Sequence, residues 1–279
     1  MSVHVAAHAK INLSLRVLGR LPDGYHEIDS EVQTIDLVDR LTIDLVATDV
    51  RVDNDLVIEG PDLVERAAFA LLRRKAFDRG VRIRVEKGIP VGAGLGGGSS
   101  DAAAVLHVLD RLTPPELGLE ALGDIGVEIG SDVPLFLHGG RIRIGGRGGR
   151  VHRSPGPSAE RFVVLVPPSR CATAEIYGRW DELSRSTRKR RASAPSRGEN
   201  DLLRPALDVH PELVPYHERM RSLGAEYHGM SGSGSSFYAA FADHTDAERA
   251  AAVLKGRFDA ADVFVCRPTD VGHRILEGR

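Results

Sequence analysis

The chain has 279 residues, 42% hydrophobic and 27% charged, the balance of a globular protein with room for two domains. Lysine plus arginine (37) nearly matches aspartate plus glutamate (39), so a net charge of −2 gives nucleic acid no electrostatic reason to bind. Two cysteines, Cys171 and Cys266, are too few for a disulfide scaffold and suit reduced thiols in the cytoplasm. The chain does not open with a basic segment and an apolar core, and no apolar run approaches ~18 residues, so neither a signal peptide nor a membrane span is expected.

Residues 9–18 alternate, with Ile11, Leu13, Leu15 and Val17 set against Lys10, Asn12, Ser14 and Arg16. That period of two predicts a half-buried strand with Lys10 and Asn12 together on its non-core face. His4 and His8 share a face if the strand extends backward, but no further ligand accompanies them to complete a metal site. Leu21-Pro-Asp-Gly-Tyr25 is a turn, because proline presets φ and Asp-Gly suits the tight positions; His26 follows at once. Residues 41–46 alternate as a second strand. Asp62 to about Phe77 predicts an amphipathic helix with Asp62 and Glu65 in its first turn. Val81, Ile83 and Val85 make a strand that leads into a glycine-dense loop, Lys87-Gly-Ile-Pro-Val-Gly-Ala-Gly-Leu-Gly-Gly-Gly-Ser-Ser-Asp101.

A helix follows the loop and ends near Leu112, before Pro114-Pro115. A further helix is expected over 116–129, then Gly130-Ser-Asp-Val-Pro-Leu-Phe-Leu137, then a hairpin over 139–151. Ser154-Pro-Gly-Pro-Ser158 is turn-rich and marks the expected boundary between domains at 1–154 and 159–279. The second block reads as a strand at 162–166 and a helix at 174–183. A basic stretch over 185–197 without apolar periodicity reads as a solvated loop. Helices at 200–207 and 211–223, a hairpin around Ser231-Gly-Ser-Gly-Ser-Ser236, a helix at 246–257 and a strand at 263–266 complete it. Strands and helices mix without regular βα alternation, which predicts an α+β protein in two domains.

The glycine loop is the chemical centre of this pattern. Without a Cβ the backbone can turn its N–H groups onto a ligand. Ser99 and Ser100 are N-cap candidates for a helix whose first turn and dipole attract an anion. No lysine follows the glycines, so the Walker pattern fails. Gly92, Gly94 and Gly97 match Gly-x-Gly-x-x-Gly, but Pro-Pro and another helix follow where a dinucleotide fold needs a parallel strand. A flexible linker is at odds with Pro90 and the immediate helix start.

Pro90-Val-Gly-Ala-Gly-Leu-Gly-Gly-Gly-Ser-Ser100 resembles the phosphate loop of the GHMP kinases. Ala9-Lys-Ile-Asn-Leu13, Pro22-Asp-Gly-Tyr-His-Glu27, Asn200-Asp-Leu-Leu203 and Met230-Ser-Gly-Ser-Gly-Ser-Ser236 resemble motifs of the branch that acts on a cytidine diphosphate derivative of methylerythritol. The resemblance implies an N-terminal ribosomal-protein-S5-domain-2-like domain, a C-terminal ferredoxin-like domain, and γ-phosphoryl transfer from ATP, carried with Mg²⁺, to a tertiary hydroxyl on the route to isoprenoid precursors. It implies Asp132 as general base and Lys10 as its cationic partner. Residues Pro90, Val91, Gly92, Ala93, Gly94, Leu95, Gly96, Gly97, Gly98, Ser99 and Ser100 would wrap the ATP phosphates. Lys87 would reach the nucleotide, and Gly232 and Gly234 would pack against the site. Asn12 would hydrogen-bond substrate, and Tyr25, His26, Thr173 and Tyr177 would hold the cytosine end, the two tyrosines as faces of one clamp.

The chain departs from the family pattern at Asp62, where an adenine-facing asparagine is usual and an aspartate can only accept hydrogen bonds, and at Gly149, where glutamate is usual. Alternatives are a sister kinase with another alcohol, or a non-catalytic nucleotide-binding relative. Protein ligands for the metal and the oligomeric state are not readable from sequence.

Overall fold

The computed structural model describes residues 2–55, 62–146, 150–154, 159–184 and 195–276. Most of the expected boundary, most of the basic stretch, and Gly149 lie outside them.

Two long strands dominate. β1 (Ser2–Arg20) and β2 (His26–Val46) form an antiparallel pair joined by the predicted Pro-Asp-Gly turn. Both run well past the alternating stretches that announce them. Register shifts between His8/Ala9, Asn12/Ser14 and Val17/Gly19 mark bulges, which bend the pair and interrupt the period of two.

Five further strands join this pair: β3 (Val50–Asn54), β4 (Gly80–Glu86), β5 (Arg141–Gly146), β6 (Arg150–Arg153) and β11 (His273–Leu276). The first sheet runs β11-β1-β2-β4-β3, with the hairpin of β5 and β6 attached to β2. The expected second block therefore ends by returning to the first: β11 pairs with β1 from His4↔Leu276 to Ala7↔His273. Four helices cover this sheet: α1 (Leu63–Arg74), α2 (Gly97–Leu112), α3 (Leu119–Ile129) and α4 (Val133–His138). α2 is buried along most of its length, and its run Ala102, Ala103, Ala104 lets the sheet approach closely.

The second sheet is antiparallel and is built from β7 (Arg161–Val166), β8 (Tyr227–Met230), β9 (Phe237–Phe241) and β10 (Asp262–Cys266), in the order β10-β7-β9-β8. α5 (Thr173–Ser184), α6 (Leu203–Val209), α7 (Val214–Arg221) and α8 (His244–Lys255) belong to this part of the chain.

β1 feeds every apolar core. Val5 and Ala7 enter the core of the first sheet, Ala9, Ile11 and Leu13 the layer between the sheets, and Leu15 and Val17 the core of the second. The strand is consequently buried on both faces from residue 5 to 17, not on one. The face expected to be open is closed by the later half of the chain. The Leu15 amide donates to the Glu199 carbonyl (2.8 Å), and the Asn12 amide donates to Ser231 Oγ (3.2 Å).

Candidate active site

The glycine loop lies between β1 and the Ser231–Ser236 turn. The Lys10 amide donates to the Leu95 carbonyl (2.9 Å), the Ser236 amide to the Ala93 carbonyl (3.2 Å), and Ser231 Oγ to the Gly94 carbonyl (2.8 Å). Ala93 and Leu95 bury their side chains in the layer between the sheets and so anchor the loop, leaving contact with a ligand to the glycines. Gly94 has φ +76°, and a Cβ there would lie 2.3 Å from the Ser231 carbonyl oxygen. Only glycine lets the two loops meet at that point.

The helix after the loop does not begin where the serines suggest. Gly96, in the left-handed region, is the N-cap of α2, and Ser99 and Ser100 lie inside the first turn. The first intrahelical bond runs from the Ser100 amide to the Gly96 carbonyl (2.9 Å), so the N–H groups of Gly97, Gly98 and Ser99 come before it. Three successive glycines, Gly96 to Gly98, add no side chain of their own at that end of the helix, which strengthens it as an anion cradle.

Lys87 does something other than reach for a nucleotide. Its ammonium is buried between Asp39 and Asp101 (2.8 Å to Asp101 Oδ2). Asp39 Oδ1 meanwhile accepts the amides of Gly88 (2.7 Å) and Ile89 (2.8 Å). The triad pins the start of the loop from beneath. Burial, with Asp39 alongside, pushes the Asp101 carboxyl up to about 8, although Lys87 pulls the other way. Asp62 likewise acts within the fold. Its Oδ1 accepts the Val64 and Glu65 amides and caps α1, while its Oδ2 accepts from Asn54.

A cavity of about 860 Å³ opens beside Gly94 and Gly96. It gathers Lys10, Asn12, Tyr25, His26, Asp132, Thr173, Tyr177 and Gly232, which come from five separate parts of the sequence. Lys10 is 4% exposed. Its Nζ donates to Asn12 Oδ1 (2.6 Å) and lies 3.7 Å from Asp132 Oδ2. Burial lowers the Lys10 pKa, opposed by the Asp132 carboxylate. Asp132 precedes α4 without capping it, so its carboxylate is available to the cavity. Asn12 differs from expectation. Its carbonyl holds Lys10 and its amide donates to Ser30 Oγ (2.9 Å), which makes it a brace for the lysine.

At the other end of the cavity Thr173 pairs with Ser233 (Oγ to Oγ, 3.0 Å). The tyrosines do not form the expected clamp in this arrangement. Tyr25 is exposed at the turn, whereas Tyr177 stacks on His26 with ring centroids 4.6 Å apart and planes 28° apart. Burial and the nearby Asp132 raise the Tyr177 phenol. Two residues here are unforeseen from sequence. Asp181, on α5, accepts from His26 Nε2 (2.9 Å), and Trp180 meets the His26 ring edge-on. One turn of helix separates Tyr177 from Asp181, a signal that gains meaning only once His26 is known to face it.

An anion cradle, a buried lysine and an uncapped aspartate thus share one cavity with an aromatic end. The sequence matches the GHMP kinases N terminal domain over residues 62–140 and the GHMP kinases C terminal domain over 178–260. The chain belongs to the GHMP kinase family. A GHMP kinase takes ATP as co-substrate, which accounts for the cradle. Among curated relatives of this GHMP kinase, the 4-diphosphocytidyl-2-C-methyl-D-erythritol kinase of Solibacter usitatus is 38% identical, aligned over 90% of this chain and 85% of its own. The enzyme so named from Listeria monocytogenes is 33% identical over 98% of both chains. A crystal structure of 4-(cytidine 5'-diphospho)-2C-methyl-D-erythritol kinase superposes with a TM-score of 0.76 at 34% identity, covering 95% of this chain and 99% of that one.

Proposed function

We propose that this GHMP kinase transfers the γ-phosphoryl group of ATP to the 2-hydroxyl of 4-diphosphocytidyl-2-C-methyl-D-erythritol, in the methylerythritol phosphate route to isoprenoid precursors. The observation that carries the reading is the placement of Lys10 and Asp132 3.7 Å apart in the cavity that also holds Gly94, Gly96 and the His26–Tyr177 stack. The relatives bearing that name at 33–38% identity support the choice of acceptor.

The residues divide the chemistry. The glycine loop and the first turn of α2 hold the phosphates by backbone N–H groups. Asp132 accepts the hydroxyl proton as the oxygen bonds to phosphorus and the β,γ-bridging bond breaks, releasing ADP. Lys10, kept in place by Asn12, stabilises negative charge on the attacking oxygen. His26, Tyr177 and Thr173 take the cytidine end, with Tyr25 at the rim.

Mg²⁺ fits as an ion carried by ATP. Among the described residues no three histidine, cysteine or acidic side chains converge as a metal cage. Asp39 and Asp101 are occupied by Lys87, and the Ser99 hydroxyl, in the first turn of α2, is the protein oxygen that would hold the ion beside the phosphates. Its contribution when bound is to screen phosphate charge. Cys171 and Cys266 are buried and free, as reduced thiols of a cytoplasmic enzyme would be. Among the described residues no helix is long and apolar enough to cross a membrane.

The test is ATP turnover with 4-diphosphocytidyl-2-C-methyl-D-erythritol beside homoserine and mevalonate. Turnover of the cytidine compound alone is expected, and preference for either other alcohol would reject the assignment. Asp132→Asn should lower kcat by at least ~10²-fold while ATP still binds.

A further inference from the structure

We infer that Asp181 sets the base preference of the cavity by fixing the tautomer of His26. This rests on the cytidine reading above and goes one step further, to how cytosine is told from uracil.

His26 opens β2 and is held on three sides. Tyr177 stacks on its face, Trp180 meets it at an interplanar angle of 87°, and Nε2 lies 2.9 Å from Asp181 Oδ1. The His26 side chain is 9% exposed and that of Asp181 22%. An ionised carboxylate has no proton to give, so the hydrogen in this bond belongs to Nε2. A neutral imidazole carries one N–H, and Nδ1 is then left with its lone pair. Nδ1 is the polar atom that the ring offers to the cavity it lines. Asp181 is itself steadied by Arg20, whose Nη1 lies 3.9 Å from Oδ2.

A fixed acceptor reads a pyrimidine by its 4-position. Cytosine presents an amine there and donates to Nδ1. Uracil presents a carbonyl, which sets lone pair against lone pair. A site that leaves such a group unpaired rejects the wrong base more strongly than shape alone can. Asp181 is therefore a positioning residue that acts through His26.

Nitrogen-15 NMR of the wild-type chain should show His26 Nε2 protonated and Nδ1 bare. Calorimetry should show cytidine diphosphate binding at least about tenfold tighter than uridine diphosphate. Asp181→Asn keeps the shape, but its carboxamide can donate as well as accept. It should mix the two tautomers and bring the ratio within about threefold, with KM rising for the cytidine substrate and not for ATP. A protonated Nδ1 in the wild type, or a ratio that ignores Asp181→Asn, overturns the inference. The NMR and calorimetric readouts do not require turnover. A chain that fails to phosphorylate the cytidine substrate, yet whose base ratio responds to Asp181, would refute the proposed function and leave this inference standing.

Discussion

Asp39 carries the sharpest structural prediction. Asp39→Ala removes the acceptor of the Gly88 and Ile89 amides and one of the two carboxylates around Lys87. Each buried amide left unpaired costs about 1–3 kcal/mol. Breaking a buried ion pair from one side costs about 3–5 kcal/mol. These losses share atoms and do not simply add, and with Asp39 gone Asp101 loses a repulsive neighbour and pairs better with Lys87. The expected net destabilisation is about 4–6 kcal/mol, a large part of a typical domain's stability. Asp39→Asn retains an oxygen for the two amides but turns an NH₂ toward Lys87, so its loss should fall in between. Guanidinium unfolding of the three proteins, with KM for ATP measured alongside, checks this. A loss below about 1 kcal/mol in Asp39→Ala with KM for ATP unchanged would show that the triad neither stabilises the fold nor shapes the phosphate loop.

Gly96→Ala tests the loop itself. Its φ is +76°, and the new Cβ would lie 2.7 Å from Phe136 Cζ and 3.2 Å from Lys10 Cε. Left-handed backbone alone costs about 1–2 kcal/mol, and displacing Lys10 should lower kcat by about tenfold or more, so near-wild-type steady-state kinetics would contradict the placement. Lys10 must be charged to work and burial lowers its pKa, so kcat/KM should fall with rising pH on a limb below the ordinary lysine value of 10.5. His273 gives a stability prediction of the opposite direction in pH. Burial, with His107 beside it, lowers its pKa from 6.5 to about 4, so between those values the unfolded chain binds a proton that the folded chain refuses. Stability should drop as pH falls through that window, by at most about 3 kcal/mol from this group, and thermal unfolding of His273→Asn should show a flatter acid limb.

How much of this is legible in the sequence depends on whether the signal is local. The glycine loop, Lys10, Asp132 and His26 stand in compact motifs, and the structure brings them to one cavity. The helix at α1 is readable because Asp62 both precedes the apolar stripe and caps it. β2 is legible only at its end. Between Thr34 and Leu41 its side chains do not alternate, because the strand crosses from the layer between the sheets to the first core. Asp39 looks like an ordinary surface acid in Leu37-Val-Asp-Arg40, and its partners lie some fifty residues on (|i−j| 50 for Ile89), a distance no spacing rule covers. Lys87 misleads for the same reason: of the two buried carboxylates that hold it, Asp101 lies 14 residues on and Asp39 48 residues back. β11 is too short to announce itself, and only its pairing with β1 makes it a strand.

One strand supplying side chains to all three cores has a mechanical consequence. Among the described residues β1 is a beam shared by both halves, and any rotation that opened the cleft widely would have to bend it where it is packed on both faces. The parts of the cavity wall outside this beam are the tip beyond Gly19 and α5, whereas Lys10 on the floor belongs to it. The same continuity ties the two halves into one melting unit. Cutting the chain near residue 155 would deprive the first sheet of β11 and the second core of Leu15 and Val17, so neither fragment inherits a complete interior.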